Sequence, residues 1–244
     1  MKRKGFLPDF SKLAQLFSNL FLYTTAFFAI LRKDFQLEFR QRILSTSLLL
    51  FVVSACFTIY QISVAGKARF NPLVWNSLFW LVFLFSAFQA VASGFQKEMG
   101  SEFWYWFFLI PPEVLMLAKL VHHFLMLCIS SLITWVFLSL FFSNPVQNGW
   151  LFFLLILLAC LGVAAALTLV SAISARAGKN ATLLPVLGFP LLIPTLLLVV
   201  RVSLVALEDL DPDLAFKNIL SLAALDLIML SISLLLFPYL WRRN

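Results

Sequence analysis

Long apolar runs, not alternating ones, organise this chain. A helix rising ~1.5 Å per residue needs about 20 apolar residues to cross a hydrocarbon core, and charge-free stretches of that order recur six times. The first is Ile43 to Val64, bounded by Arg42 and Lys67, and the second is Leu73 to Ala92. From Leu120 to Ala175 no charge occurs, and the turn-forming residues from Ser143 to Gly149 divide that run into spans over about 120–142 and 150–175. A fifth runs from about Leu183 to Val200, ending at Arg201, and a sixth from about Phe216 to Phe237. Continuous apolarity predicts helices, because a barrel would alternate with a period of two. The predicted fold is therefore all-α: a polytopic membrane protein with six transmembrane helices, forming one domain over 43–244 with no internal repeat.

Residues 1–42 follow a different pattern. Lys2, Arg3 and Lys4 precede the uncharged run Leu13 to Leu31, which resembles a signal peptide or a seventh span. Arg32, Lys33, Arg40 and Arg42 would stand at the new N-terminus after cleavage near Ala29, where positive charge opposes export. A seventh span would strand Lys2, Arg3, Lys4 and Lys12 outside. Leu13, Leu16, Phe17 and Leu20, then Phe28, Leu31, Phe35 and Phe39, fall at helical spacing, while Arg32, Lys33, Gln36 and Arg40 point elsewhere. One or two amphipathic helices lying in the cytoplasmic interface are predicted.

Composition agrees with lipid as the solvent. Of 244 residues 62% are hydrophobic, against 18 Lys and Arg and 11 Asp and Glu; soluble domains carry about twice that proportion of charge. A soluble enzyme, a nucleic-acid-binding domain and a disordered chain are excluded on that ground. Fourteen of the basic residues fall in segments on one side of the spans, the side of both termini, and only Lys67, Arg69, Arg201 and Lys217 on the other. That bias predicts both termini in the cytoplasm. The acidic cluster Glu208, Asp209, Asp211 and Asp213 then falls in a solvated outer loop.

Catalytic signatures are lacking. No H-E-x-x-H, G-x-S-x-G or phosphate loop occurs, since Gly178-Lys179 would need glycine at Ile173. The chain cannot hydrolyse ATP by itself. Cys56, Cys128 and Cys160 sit inside spans and are read as small apolar residues. His122 and His123 open the third span about 100° apart on a helix, so they cannot clamp one iron from one face; they are read as interfacial residues satisfied by water or a neighbour. Asp226 lies ten residues into the sixth span, about 15 Å deep. An intramembrane acid either works in transport or fixes helix packing. Pro185, Pro190 and Pro194, with Gly188, interrupt the fifth span and make it a candidate hinge.

Between the second and third spans, a cytoplasmic segment over 96–118 begins with the charged turn Gln96 to Glu102. It continues through Phe103-Trp104-Tyr105-Trp106-Phe107-Phe108 to Pro111-Pro112. Either an aromatic membrane anchor or a short helix docked on a soluble motor subunit fits this pattern.

Several pieces together resemble a known family. The elbow Leu31-Arg32-Lys33-Asp34-Phe35-x-x-Glu38-x-Arg40 looks like the segment leading into the first span of haem exporter protein B, the permease subunit of the cytochrome c maturation system. Pro72-Leu73-Val74-Trp75 opening the second span resembles the same family, as do Gly100-Ser101, the Leu109-x-Pro111 step and Ala118-Lys119 of the cytoplasmic segment, and the later run Leu184-Pro185 through Pro190-Leu191-x-Ile193-Pro194. The similarity runs in register from about Ala29 to the C-terminus. The first 28 or so residues have no counterpart, and Phe103 to Phe108 is more aromatic than usual.

The resemblance implies an ABC-2-type permease with an N-terminal interfacial elbow helix, residing in the bacterial inner membrane. Its implied partners are a separate ATPase subunit, a second copy of itself, other cytochrome c maturation membrane subunits and a haem chaperone. ATP would act through the partner, and haem would be cargo of the complex. Glu98, Gly100, Ser101, Glu102, Phe103 and Trp104 are then the expected ATPase contacts, and release of the haem-loaded chaperone is the expected work. An exporter of a drug, lipid or glycan, and a non-transporting assembly scaffold, are the alternative readings.

Overall fold

The computed structural model describes residues 10–41, 43–66, 71–92, 94–95, 110–142, 144–177, 182–208 and 212–242. Among these it holds seven helices: α1 (Phe10–Gln41), α2 (Ile43–Gly66), α3 (Pro72–Val91), α4 (Pro112–Phe141), α5 (Gly149–Arg176), α6 (Leu183–Glu208) and α7 (Pro212–Arg242). No strand occurs among the described residues. The last six helices are each long and apolar enough to cross a membrane.

Local chemistry sets the helix starts. Asn71 caps α3, its side chain accepting from Leu73 N at 3.4 Å, and Pro72 follows where its missing N–H costs nothing. Asn148 caps α5 by accepting from Leu151 N at 3.1 Å. In the preceding turn, Asn144 accepts from Val146 N, and the amides of Gln147 and Asn148 donate to Ala206 O, docking this connection on the end of α6. The two helices predicted from the run Leu120 to Ala175 thus separate where the turn residues stand.

Three boundaries differ from the charge gaps. Helix α4 begins at Pro112, so residues 112–118 form its first two turns and not part of the connecting segment. Helix α6 runs past the exposed Arg201 to Glu208, because a single charge on the surface of a helix does not end it. The stretch predicted to lie in the interface is one helix, α1, and its bundle-facing positions are Ile30 and Asp34, with Ala26 and Phe27 beside them, while Phe28 is exposed.

Helix α5 is the centre of the bundle. Its buried residues include Ala159, Cys160, Gly162, Ala164, Ala165 and Ala166, small side chains that let neighbouring backbones approach closely where apolar transfer cannot drive association. It packs against α3, α4, α6 and α7. Helix α2 lies at the periphery and leaves most of its apolar surface outward.

One end of the bundle is pinned by aromatic rings and one polar knot. Phe152 contacts Phe79 at 5.1 Å and Trp135 at 5.3 Å between ring centres. Alongside, buried Asn76 donates to Val200 O at 3.0 Å and accepts from Trp80 Nε1 at 2.9 Å and from Ser203 Oγ at 2.8 Å. The polar atoms of Asn76 and Ser203 are satisfied across α3 and α6, as burial requires.

Candidate functional site

At the opposite end, where α3 finishes and α4 starts, polar side chains from three helices meet. Lys119 stands two turns into α4 and reaches Asp34 of α1, Nζ to Oδ2 at 3.0 Å, with both side chains 7% exposed. Lys33 approaches the other carboxylate oxygen at 3.4 Å. Lys119 Nζ also lies 5.9 Å from the centre of the Phe95 ring, close enough for cation–π attraction. A pair this buried holds its geometry because each charge is costly without the other.

One turn along α4, His122 meets the Phe35 ring of α1 edge-on at 4.9 Å. Its neighbour His123 points instead at α5, Nδ1 lying 2.9 Å from Thr168 Oγ1. Thr168 donates its own hydroxyl hydrogen to Ala164 O, so the hydrogen between them must come from His123 Nδ1. That network assigns the Nδ1–H tautomer and leaves Nε2 as an acceptor directed at Gly94. A Cβ at Gly94 would stand 2.6 Å from His123 Cε1 and 2.8 Å from Nε2. Ser171 of α5 donates to Val91 O at 3.1 Å, satisfying a carbonyl in the last turn of α3. The two histidines are therefore held by neighbours, and within the protein instead of at its surface.

Beneath the polar groups lies an apolar floor. Phe95 and Ile110, which flank residues 96–109, pack in one cluster with Val114 and Leu115 of α4, Ile30 of α1, and Phe237 and Trp241 of α7. Phe95 and Phe237 ring centres are 5.3 Å apart.

Asp226 occupies a second polar position, on the face of α7 that carries Leu222 and Ser233. It is 1% exposed, and neither carboxyl oxygen has a hydrogen-bond partner. It fits against Gly162 of α5, where a methyl group would overlap its Oδ1. Ser233, two turns on, donates to Ala165 O at 2.8 Å. Gly162 lies six residues from Thr168, about 9 Å along α5, so the central helix touches both polar positions.

Of the residues singled out in the sequence, Glu98, Gly100, Ser101, Glu102, Phe103 and Trp104 lie outside the described residues, as do the side chains of the Glu208 to Asp213 cluster. Pro185 sits in the first turn of α6, where an amide is unbonded in any helix. Pro190 and Pro194 stand inside a continuous α6, and as prolines lack the N–H that would bond the carbonyls of Val186 and Pro190. Gly188 receives the Phe88 ring, whose Cε1 would lie 2.7 Å from a Cβ there.

Sequence reading missed the Asp34–Lys119 pair and the Gly94 and Gly162 notches. A signal for the pair was present: Asp34 recurs with Ala26, Phe27 and Ile30 on one helical stripe, and Lys119 is the last charge before a long uncharged run. The notches carry no signal, since a glycine's neighbours are set by packing. Among the described residues no group of three or more His, Cys, Asp or Glu could hold a metal ion. The cluster offers a fixed charge pair and mechanical connection between helices.

A family model described as CcmB protein matches residues 25–239. A comparison with curated proteins gives no match.

Proposed function

The chain belongs to the CcmB protein family, a permease component of haem export in cytochrome c biogenesis, and from that premise we propose how it is driven. A separate ATP-binding-cassette subunit grips residues 96–104, with Glu98, Gly100, Ser101, Glu102, Phe103 and Trp104 as the contacts. Hydrolysis there moves the spans and releases a haem-loaded chaperone on the far side. The membrane is the bacterial inner membrane, both termini are cytoplasmic, and a second copy of the chain completes the permease.

One observation carries this reading. Both ends of the segment, Phe95 and Ile110, are seated in the same apolar cluster as Ile30 of α1 and Phe237 and Trp241 of α7. A displacement applied between them reaches α1, α4, α5 and α7 together, because close-packed interiors transmit displacement instead of absorbing it. The Asp34–Lys119 pair makes α1 move with α4. Pro190 and Pro194 give α6 a weak point at which to bend, and Asp226 responds where α7 meets α5.

Replacing Gly100 to Trp104 with a neutral linker is expected to abolish recovery of the ATPase subunit with the tagged protein from native membranes. Undiminished recovery would remove the assignment of this segment.

A further inference from the structure

One stripe of α1 faces away from the bundle and changes character along its length. Tyr23 and Phe28 are 46% and 65% exposed; Arg32, Gln36 and Arg40 follow at four-residue steps and are also exposed. Phe28 therefore precedes the basic part on one slowly turning stripe, since four residues advance a helix by little more than a full turn, whereas Tyr23 stands about 140° around the helix from Phe28.

Arg32, Lys33, Gln36 and Arg40 line a cleft of about 620 Å³, with Phe35 and Leu37 as its apolar wall. No acid of α1 faces it. Asp34 is turned into the bundle against Lys119, and Glu38 lines a different cleft with Leu48, Leu49, Met126 and Ile133. Neither Arg32 nor Arg40 has an ion-pair partner among the described residues. Arg32, Lys33 and Gln36 lie within about one turn, and Arg40 extends the positive field by another.

We propose that this cleft is a binding site for an anionic phospholipid. Its phosphate is held by Arg32 and Gln36, with Arg40 adding charge, and the apolar part next to its headgroup meets Phe28. A guanidinium fork matches phosphate oxygens in two bonds, and an exposed aromatic beside it suits the boundary between headgroup and chain. An acidic protein surface would match the arginines and leave Phe28 unexplained. The proposal rests on α1 lying at the membrane surface and is independent of the motor subunit.

Native mass spectrometry of the detergent-purified chain tests it, because lipid retention is then read without partner subunits and without regard to orientation. Incubated with equal palmitoyl-oleoyl phosphatidylglycerol and phosphatidylcholine, the parent is expected to retain mainly the former. R32Q/R40Q should lower that retention by about 10- to 30-fold, as expected for two basic residues near an anionic surface, with unchanged helical circular dichroism. R32K/R40K should keep most of it. Equal retention of the two lipids by the parent, or undiminished phosphatidylglycerol on R32Q/R40Q, overturns the site.

Discussion

Lys119 of α4 and Asp34 of α1 form a buried ion pair, 3.0 Å apart, that fastens the first helix to the opening turns of an apolar helix long enough to cross a membrane. The pair is the rigid link between the elbow and the bundle, and its energetics set the first prediction.

Removing one partner leaves the other charge buried. Lys119→Met or Asp34→Leu alone is expected to cost about 3 kcal/mol or more, whereas the two together should recover most of the loss, since an apolar pair of similar volume often replaces a buried ion pair. Thermal unfolding of the four proteins in one detergent gives the coupling. Additive losses would show that the two side chains do not depend on one another.

Gly94 leaves room for His123 and sits one residue before Phe95, where residues 96–109 begin. Gly94→Ala should destabilise by about 1–3 kcal/mol through overpacking and lower stimulation of the ATPase subunit. His123→Ala in the same chain removes the obstructing ring and should restore stimulation at least in part. Equal defects in single and double variants would break the link between this contact and coupling.

The notch at Gly162 admits Asp226. Gly162→Ala should push α5 and α7 apart and lower recovery of folded protein, and Asp226→Ala should relieve it. Asp226→Asn keeps the shape and removes the carboxylic acid, so helical content should persist while release of haem-loaded chaperone falls, the loss expected if a buried ionisable group works in transport. Undiminished release would assign Asp226 to packing alone.

Orientation is read by cysteine labelling, with the native Cys56, Cys128 and Cys160 protected inside spans. A membrane-impermeant maleimide should modify Asn144→Cys in intact cells, and Arg176→Cys only after permeabilisation. Labelling of Arg176→Cys from outside would invert the topology and place residues 96–104 beyond reach of an ATPase.

Comparing sequence with structure, the elements were legible almost entirely. The six spans, the helix before them and the turn from Ser143 to Gly149 are written in charge gaps, helical spacing and turn residues, which act locally along the chain. The boundary shifts at Pro112 and Arg201 have a common cause: helix continuation depends on backbone bonding, and a charge near an end does not interrupt it.

The family, too, was legible, because short motifs in a fixed order survive without knowledge of contacts, and the match over residues 25–239 agrees with a resemblance starting near Ala29. What the chain by itself determined is its solvent, its span count and its kinship, all consequences of how apolar and charged residues are ordered. Only the tertiary structure decided that Asp34 meets Lys119, that His123 fills the space beside Gly94, and that Asp226 rests on Gly162. Each of these joins segments separated along the chain, and which faces meet is fixed by close packing of the helices on one another, a property of the assembled bundle and of no single segment.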